Sequence, residues 1–210
     1  MGLVLLDLDG TVRRSKSGAT FINDPEDQEL IPGVMDAMQA VSNAGHNMIA
    51  ITNQRGVAAG HKSLEECICE QQITLSLTTH QNKHLLDAIV LCPDNGETAW
   101  LVWYENNSIE DYISYFGTSL LPPSEDMMGL DWPEIITHEW AELTQGQNFR
   151  KPDTGMAHVA TLFWSQNRPA NERDEFPLLM VGDMGSDRLM AETYSIPYRD
   201  AADWLGNPLP

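Results

Sequence analysis

The chain has 210 residues, 42% of them apolar and 20% charged, a composition that excludes a disordered chain and suits one well-buried α/β domain with a modest insertion. Thirty-one acidic against twelve basic residues give a formal charge of -19, which disfavours non-specific attraction to nucleic acid or to an anionic membrane without excluding a local basic site. The first apolar run is too short for a signal peptide or a membrane span, and three irregularly spaced cysteines (Cys67, Cys69, Cys92) point to a reducing, cytoplasmic setting.

The chain begins with an apolar run, Leu3 to Leu6, that predicts a buried strand ending in Asp7-Leu8-Asp9-Gly10-Thr11. Side chains alternate along a strand, so Asp7 and Asp9 project to one side. Two carboxylates held together repel unless a cation or a shared proton lies between them, so the stretch reads as a metal site, an acid/nucleophile pair, or both. Residues 12–31, polar and basic at first, read as a flap over the strand end. Pro32-Gly33 opens a helix that Gly45 stops, and His46 to Thr52 is a second buried strand running into Asn53, Gln54 and Arg55. Ser63 and Glu66 form a capping box for a helix to about Thr79.

A third strand, Asp87 to Cys92, is joined through Pro93-Asp94-Asn95-Gly96 to a strand-like run from Ala99 to Tyr104, a hairpin pattern. Residues 93–148 read as an irregular insertion, with a helix expected near Ile109–Phe116, a break at Pro122-Pro123 and an aromatic-acidic stretch from Trp132 to Trp140. Arg150-Lys151-Pro152 is expected to start a helix to about Gln166. Pro177 to Asp183 is a fourth buried strand, and a helix from about Ser186 to Tyr194 and a short strand at Ile196–Tyr198 close a single domain over 1–210. Apolar strands alternating with helices imply a mostly parallel sheet covered on both faces, with ligands beyond the carboxyl ends of its strands. Asp7/Asp9, Thr52/Asn53 and Asp183 each end a separate strand, and so would share one site.

Three carboxylates without a cysteine or histidine cluster form a hard oxygen site suited to Mg²⁺ rather than zinc. A lysine, a threonine hydroxyl, an asparagine amide and backbone N–H groups beside it form a phosphate receptor. There an aspartate could attack phosphorus and the neighbouring carboxyl could move a proton.

Asp7-Leu8-Asp9-Gly10-Thr11, Thr52-Asn53, Lys151 and Gly182-Asp183 with Asp187 resemble, in order, the four motifs of haloacid-dehalogenase (HAD) superfamily phosphatases. The resemblance implies a Rossmann-like HAD core with helices on both faces of the sheet, a small flap and an irregular insertion. It implies Asp7 as nucleophile, Asp9 as general acid/base, and Thr52 and Lys151 as ligands of the transferring phosphoryl group. Mg²⁺ would be held by Asp7, the Asp9 carbonyl and Asp183, with Asp187 in or near its second shell. Thr52-Asn53-Gln54 and Arg150-Lys151-Pro152-Asp153-Thr154-Gly155-Met156 are similar to the branch of histidinol-phosphatases, heptose-bisphosphate phosphatases and polynucleotide 3'-phosphatases, where the residue matching Arg150 binds substrate. The zinc loop of some members is not matched: Cys92-Pro93-Asp94 keeps one cysteine, while Gln147 and Phe149 stand at later cysteine positions, so no zinc is expected.

The implied activity is Mg²⁺-dependent phosphomonoester hydrolysis through an aspartyl-phosphate, on a small phosphorylated metabolite such as a sugar phosphate, an amino-alcohol phosphate or a nucleotide. The flap string Ser17 to Phe21 instead resembles polynucleotide 3'-phosphatases, a reading the net charge disfavours. A non-catalytic phospho-ligand binder on the same core is a third reading, against which Asp9 argues. Asn53, Arg55, Arg150 and Arg13 are the expected substrate-binding residues. Eight of the twelve Lys/Arg residues (13, 14, 16, 55, 62, 83, 150, 151) fall in segments assigned near the site, which predicts a locally positive mouth.

Overall fold

The computed structural model describes residues 2–104, 111–117, 146, 148–166, 168 and 177–209. Its centre is strand β1 (Leu3–Leu6), with all four side chains buried. The sequence alternates between two cores: Val4 and Leu6 join one apolar cluster and Leu3 and Leu5 the other. Such a strand needs cover on both faces, and the chain supplies it.

Hairpin strands β2 (Arg13–Arg14) and β3 (Glu29–Leu30) make the base of the flap. Helix α1 (Val34–Asn43) follows, then β4 (Asn47–Asn53) and α2 (Leu64–Leu77), which carries the expected Ser63/Glu66 capping box. A small hairpin, β5 (Thr79–His80) with β6 (Lys83–His84), leads to β7 (Ala88–Cys92), β8 (Thr98–Tyr104) and β9 (Asp111–Gly117). Helix α3 (Gly155–Gln166), β10 (Leu179–Gly182), α4 (Gly185–Tyr194), β11 (Tyr198–Asp200) and α5 (Ala201–Gly206) complete the described chain.

The seven-stranded sheet runs β11-β10-β1-β4-β7-β8-β9. It is parallel from β11 to β7 and antiparallel at β7/β8 and β8/β9, so the expected mostly parallel sheet is found. On one face the core is built with Val34, Met38 and Val41 of α1, Cys67, Ile68 and Leu75 of α2, and Trp204 of α5. On the other, Met156, Val159, Ala160 and Trp164 of α3 pack beside Met190 and Ala191 of α4. No helix among the described residues is long and apolar enough to cross a membrane.

Two expectations are corrected, and one element is new. The segment expected to be helical near 109–116 is strand β9 over Asp111–Gly117, paired residue for residue with β8. Tyr112, Ile113 and Phe116 fit a helical stripe, but so short a run of β-branched and aromatic residues fits a strand as well, and the open edge of β8 supplies its hydrogen bonds. Helix α3 begins at Gly155 rather than at Arg150, because the residue before a proline is pushed away from helical backbone and Lys151 lies in the preceding turn. Helix α5, capped by Asp200, was not expected: six residues are too few to show a period. Pro122-Pro123, the Trp132–Trp140 stretch and Gln147 lie outside the described residues.

Candidate active site

The carboxyl ends of β1, β4 and β10 meet in one place, since Leu6 is in register with both Ala50 and Val181. Asp7 follows β1 directly and its N–H donates to Val181 O at 2.8 Å, which fixes the first carboxylate against β10. Gly10 then turns the chain with φ +92°, a conformation that favours glycine. The absent side chain matters too: a Cβ there would lie 2.2 Å from Asp183 Oδ2. Thr11, Val12 and Arg13 all donate their N–H groups to Leu8 O, closing the turn tightly.

Asp7 is buried and accepts from Lys151 Nζ at 2.5 Å on Oδ1 and from the Thr11 hydroxyl at 3.3 Å on Oδ2. Lys151 Nζ also lies 2.7 Å from Asp187 Oδ1 and donates to Ile51 O at 3.0 Å. Carboxylate oxygens of Asp7, Asp183 and Asp187 lie within 4.8 Å of one another. Three carboxylates against one ammonium leave two negative charges when all are ionised, which a divalent cation would balance, and oxygen donors suit Mg²⁺. The residues therefore fit the expected metal. Burial, with Asp187 adding to it against the pull of Lys151, raises Asp7 to about 7. Burial and Asp187 likewise raise Asp183.

Asp9 stands apart from the three-carboxylate cluster. Arg13 Nε donates to its Oδ1 at 2.8 Å and Gln54 Nε2 to its Oδ2 at 2.8 Å. Desolvation alone would raise its pKa, but the charge and hydrogen bond of Arg13, the Lys62 ammonium and the Gln54 amide together outweigh that and hold the carboxyl below the ordinary range. Thr52 is buried at the end of β4, and its hydroxyl accepts from the same Gln54 amide at 3.1 Å. Gln54 thus ties the two strand-end residues together.

The expected substrate-binding residues divide. Asn53 Nδ2 donates to Lys151 O at 3.0 Å and its Oδ1 accepts from Lys151 N at 2.9 Å. That reciprocal pair sets the lysine's turn. Arg13 is corrected outright: it is fully buried, bonded to Asp9, Gln28, Thr74 and Glu70, and supports Asp9 from beneath. Arg55 is exposed in the loop after Gln54. Arg150 is half-buried, and its Nη1 is enclosed without a hydrogen-bond partner among the described residues, which suits an anion acceptor.

The predicted positive mouth is therefore smaller than expected. Lys62 is buried and paired with Glu70, Arg14 pairs with Glu29, and Lys83 donates to Ser42 beside the other end of β4. Sequence reasoning missed Glu70 and Gln28. The available signal for Glu70 was its spacing, three after Cys67 and four before Thr74 on the buried stripe of α2.

The loop after β7 braces the Lys151 turn. Asp94 Oδ1 accepts from the N–H groups of Gly96, Glu97 and Thr98, and Phe149 N donates to Gly96 O at 3.0 Å. Arg150 N donates to Asn148 Oδ1, and Gly155 N to Asn148 O.

A family model described as polynucleotide kinase 3 phosphatase matches residues 2–202. A D-glycero-beta-D-manno-heptose-1,7-bisphosphate 7-phosphatase of Vibrio cholerae is 31% identical over 94 residues, 45% of this chain and 48% of that protein. A D-glycero-D-manno-heptose-1,7-bisphosphate 7-phosphatase of Thermosynechococcus vestitus is 29% identical over 114 residues, 50% of this chain and 57% of that protein. The chain spans about half the length of these relatives. Among solved structures, a D,D-heptose 1,7-bisphosphate phosphatase from B. bronchiseptica complexed with magnesium and phosphate superposes with TM-score 0.55 at 20% identity, over 94% of this chain and 79% of that one. A protein from Mesorhizobium loti described as a HAD-like phosphatase gives 0.56 at 18% identity, over 99% and 84%. These two establish likeness of fold.

Proposed function

The chain belongs to the polynucleotide kinase 3 phosphatase family within the HAD superfamily, and from that membership we propose that it is a Mg²⁺-dependent phosphomonoester hydrolase acting through an aspartyl-phosphate. The observation that carries the reading is Asp7, a buried carboxylate gripped by Lys151 at the end of the central strand, with Asp183 and Asp187 beside it. In the first step an Asp7 oxygen bonds to phosphorus, the bond from phosphorus to the leaving oxygen breaks, and the protonated form of Asp9, a minor one at neutral pH because Arg13 favours the carboxylate, gives that oxygen a proton. In the second, water attacks phosphorus, Asp9 takes its proton, and phosphate leaves with Asp7 restored. Lys151 and the Thr52 hydroxyl would hold the phosphoryl oxygens. Mg²⁺ held by Asp7, the Asp9 carbonyl, Asp183 and Asp187 would neutralise charge on the transferring group.

For the substrate we favour a small phosphorylated metabolite, and a sugar phosphate first, because the curated relatives are heptose-bisphosphate phosphatases. The net charge of -19 and the internal pairing of Arg13 and Lys62 support this over a polyanion. The family model and the flap string favour the second reading, removal of a 3'-phosphate from a nucleic-acid end. Parallel assays of heptose and other sugar phosphates and of a 3'-phosphorylated oligonucleotide decide between them. Greater turnover of the oligonucleotide would reverse the order. Asp7→Asn should abolish hydrolysis of p-nitrophenyl phosphate with the fold intact, and EDTA should do the same reversibly on return of Mg²⁺. Activity that survives either treatment would refute that part of the scheme.

A further inference from the structure

Helix α2 carries a buried carboxylate to which the reaction above gives no part. Glu70 is fully buried, receiving Arg13 Nη2 on Oε1 and Lys62 Nζ on Oε2. From these two cations the contacts converge again on Asp9. Arg13 Nε donates to Asp9 Oδ1 at 2.8 Å, while Lys62 donates to Gln54 Oε1 at 2.7 Å and Gln54 Nε2 donates to Asp9 Oδ2 at 2.8 Å. The contacts close a ring: Glu70, Arg13, Asp9, Gln54, Lys62 and back to Glu70.

The ring's chemistry runs in one direction. An ammonium only donates, so Lys62 must face the oxygen end of the Gln54 amide, which turns the NH₂ end to Asp9. Glu70 in turn fixes where Lys62 and Arg13 stand. A buried charge cluster is seldom worth more to stability than apolar side chains of the same volume, so stability gives little reason for placing a glutamate here. We propose that Glu70 is a positioning residue for Asp9: through Arg13 on one oxygen and Lys62 with Gln54 on the other, it holds the carboxyl in the orientation that delivers a proton to the leaving oxygen. The inference rests on the phosphatase reading above.

A role in proton delivery differs from a merely structural one in what it does to different leaving groups. An alkoxide must receive a proton as its bond to phosphorus breaks, whereas p-nitrophenolate departs without one. For both, kcat/KM ends at loss of the leaving group, so the second step does not enter. Glu70→Gln keeps the shape and one acceptor but loses the charge and the second carboxylate oxygen. The paired change Lys62→Met with Glu70→Gln removes one charge of each sign and leaves the amide of Gln54 without its orienting cation. In the full chain with Mg²⁺, each variant should lose at least about tenfold more kcat/KM on glycerol 2-phosphate than on p-nitrophenyl phosphate, a part of the general-acid contribution of about 10²–10⁴. Equal losses on the two substrates, or no loss, would overturn the proposal. So would thermal melts in which neither variant folds, since Glu70 would then serve folding alone. A wild-type chain that hydrolyses neither compound would instead remove the phosphatase reading, and this inference with it.

Discussion

Gly10→Ala separates the backbone demand of the β1 turn from the spacing of the carboxylate cluster. Gly10 has φ +92°, where an alanine costs about 1–2 kcal/mol in backbone strain. In a chain of 210 residues that lowers Tm by roughly 2–8 °C. The new methyl would also meet Asp183 Oδ2 at 2.2 Å and Cγ at 2.8 Å, against the 3.4 Å where ordinary contact begins. Because Asp183 is exposed, its carboxylate swings away at little cost to stability. It must move by more than about 1 Å, however, when metal–ligand distances tolerate only about 0.2 Å. The Mg²⁺ concentration for half-maximal p-nitrophenyl phosphate hydrolysis should therefore rise by about tenfold or more, in the range found when metal sites are disturbed. Gly45→Ala is the control. Gly45 has φ +85° and a methyl added there would meet nothing within 4 Å, so the variant should lose similar stability and keep its Mg²⁺ requirement. If Gly10→Ala and Gly45→Ala showed the same Mg²⁺ titration, the argument that Gly10 makes room for a metal-binding Asp183 would be wrong.

Two further outcomes test the interior. Burial pushes the thiols of Cys67 and Cys92 up to about 12, while Cys69 is exposed. A disulfide reagent at pH 8 should modify one thiol quickly and the other two only on unfolding, and rapid reaction of all three would contradict the packing of α2 and β7. Asp87 accepts from Asn47 Nδ2 at 2.9 Å and from Met48 N at 3.1 Å, yet burial outweighs these bonds and raises it above the usual 3.8. The folded state thus holds this proton more tightly than the unfolded chain, and the group's effect on stability becomes less favourable as pH rises from about 4 through its raised value. Asp87→Asn keeps both acceptor contacts and cannot ionise, so its stability relative to wild type should increase between pH 4 and pH 7. A pH-independent difference in urea midpoints would count against the assignment.

The sheet was legible because β1, β4, β7 and β10 are apolar runs, and the polar residues at which β1, β4 and β10 stop are where the site lies. The elements misread were those whose local signal allowed two answers. Tyr112, Ile113 and Phe116 fit a helical stripe while Tyr112 with Phe116 fits a strand's alternation, and only the hydrogen-bonding edge of β8 decides for a strand. Pro152 resembles a helix-start residue, but the turn before α3 is set from outside, by Asn53 and Asn148. At the site, Asp7, Asp183 and Lys151 fall together as the strand and helix ends implied, and Asp187 joins them as the resemblance to the HAD motifs implied, whereas the burial of Arg13 could not be read from its neighbours. A basic residue after an acidic motif looks like a solvent-facing charge until a carboxylate 57 positions away is brought beneath it.

That burial changes how the charge of the chain bears on what it would accept. Among the described residues, Arg13, Lys62 and Lys151 are the cations nearest the proposed catalytic carboxylates, and each is matched inside the fold, to Asp9, Glu70, Asp7 or Asp187. They set the geometry of the site and project little field outward, because a charge paired at contact distance acts beyond it only as a dipole. With Arg14 also paired and Lys83 beside the other end of β4, attraction at the mouth falls, among the described residues, chiefly to Lys16 of the flap, Arg55 and Arg150. So few groups can receive one additional anionic or polar function of a small substrate. A polyanion tracking the surface would need a row of unpaired cations, and on a chain of net charge -19 it would meet mostly carboxylates. The inward pairing of its cations is thus the physical ground for ranking a small phosphomonoester ahead of a nucleic-acid end.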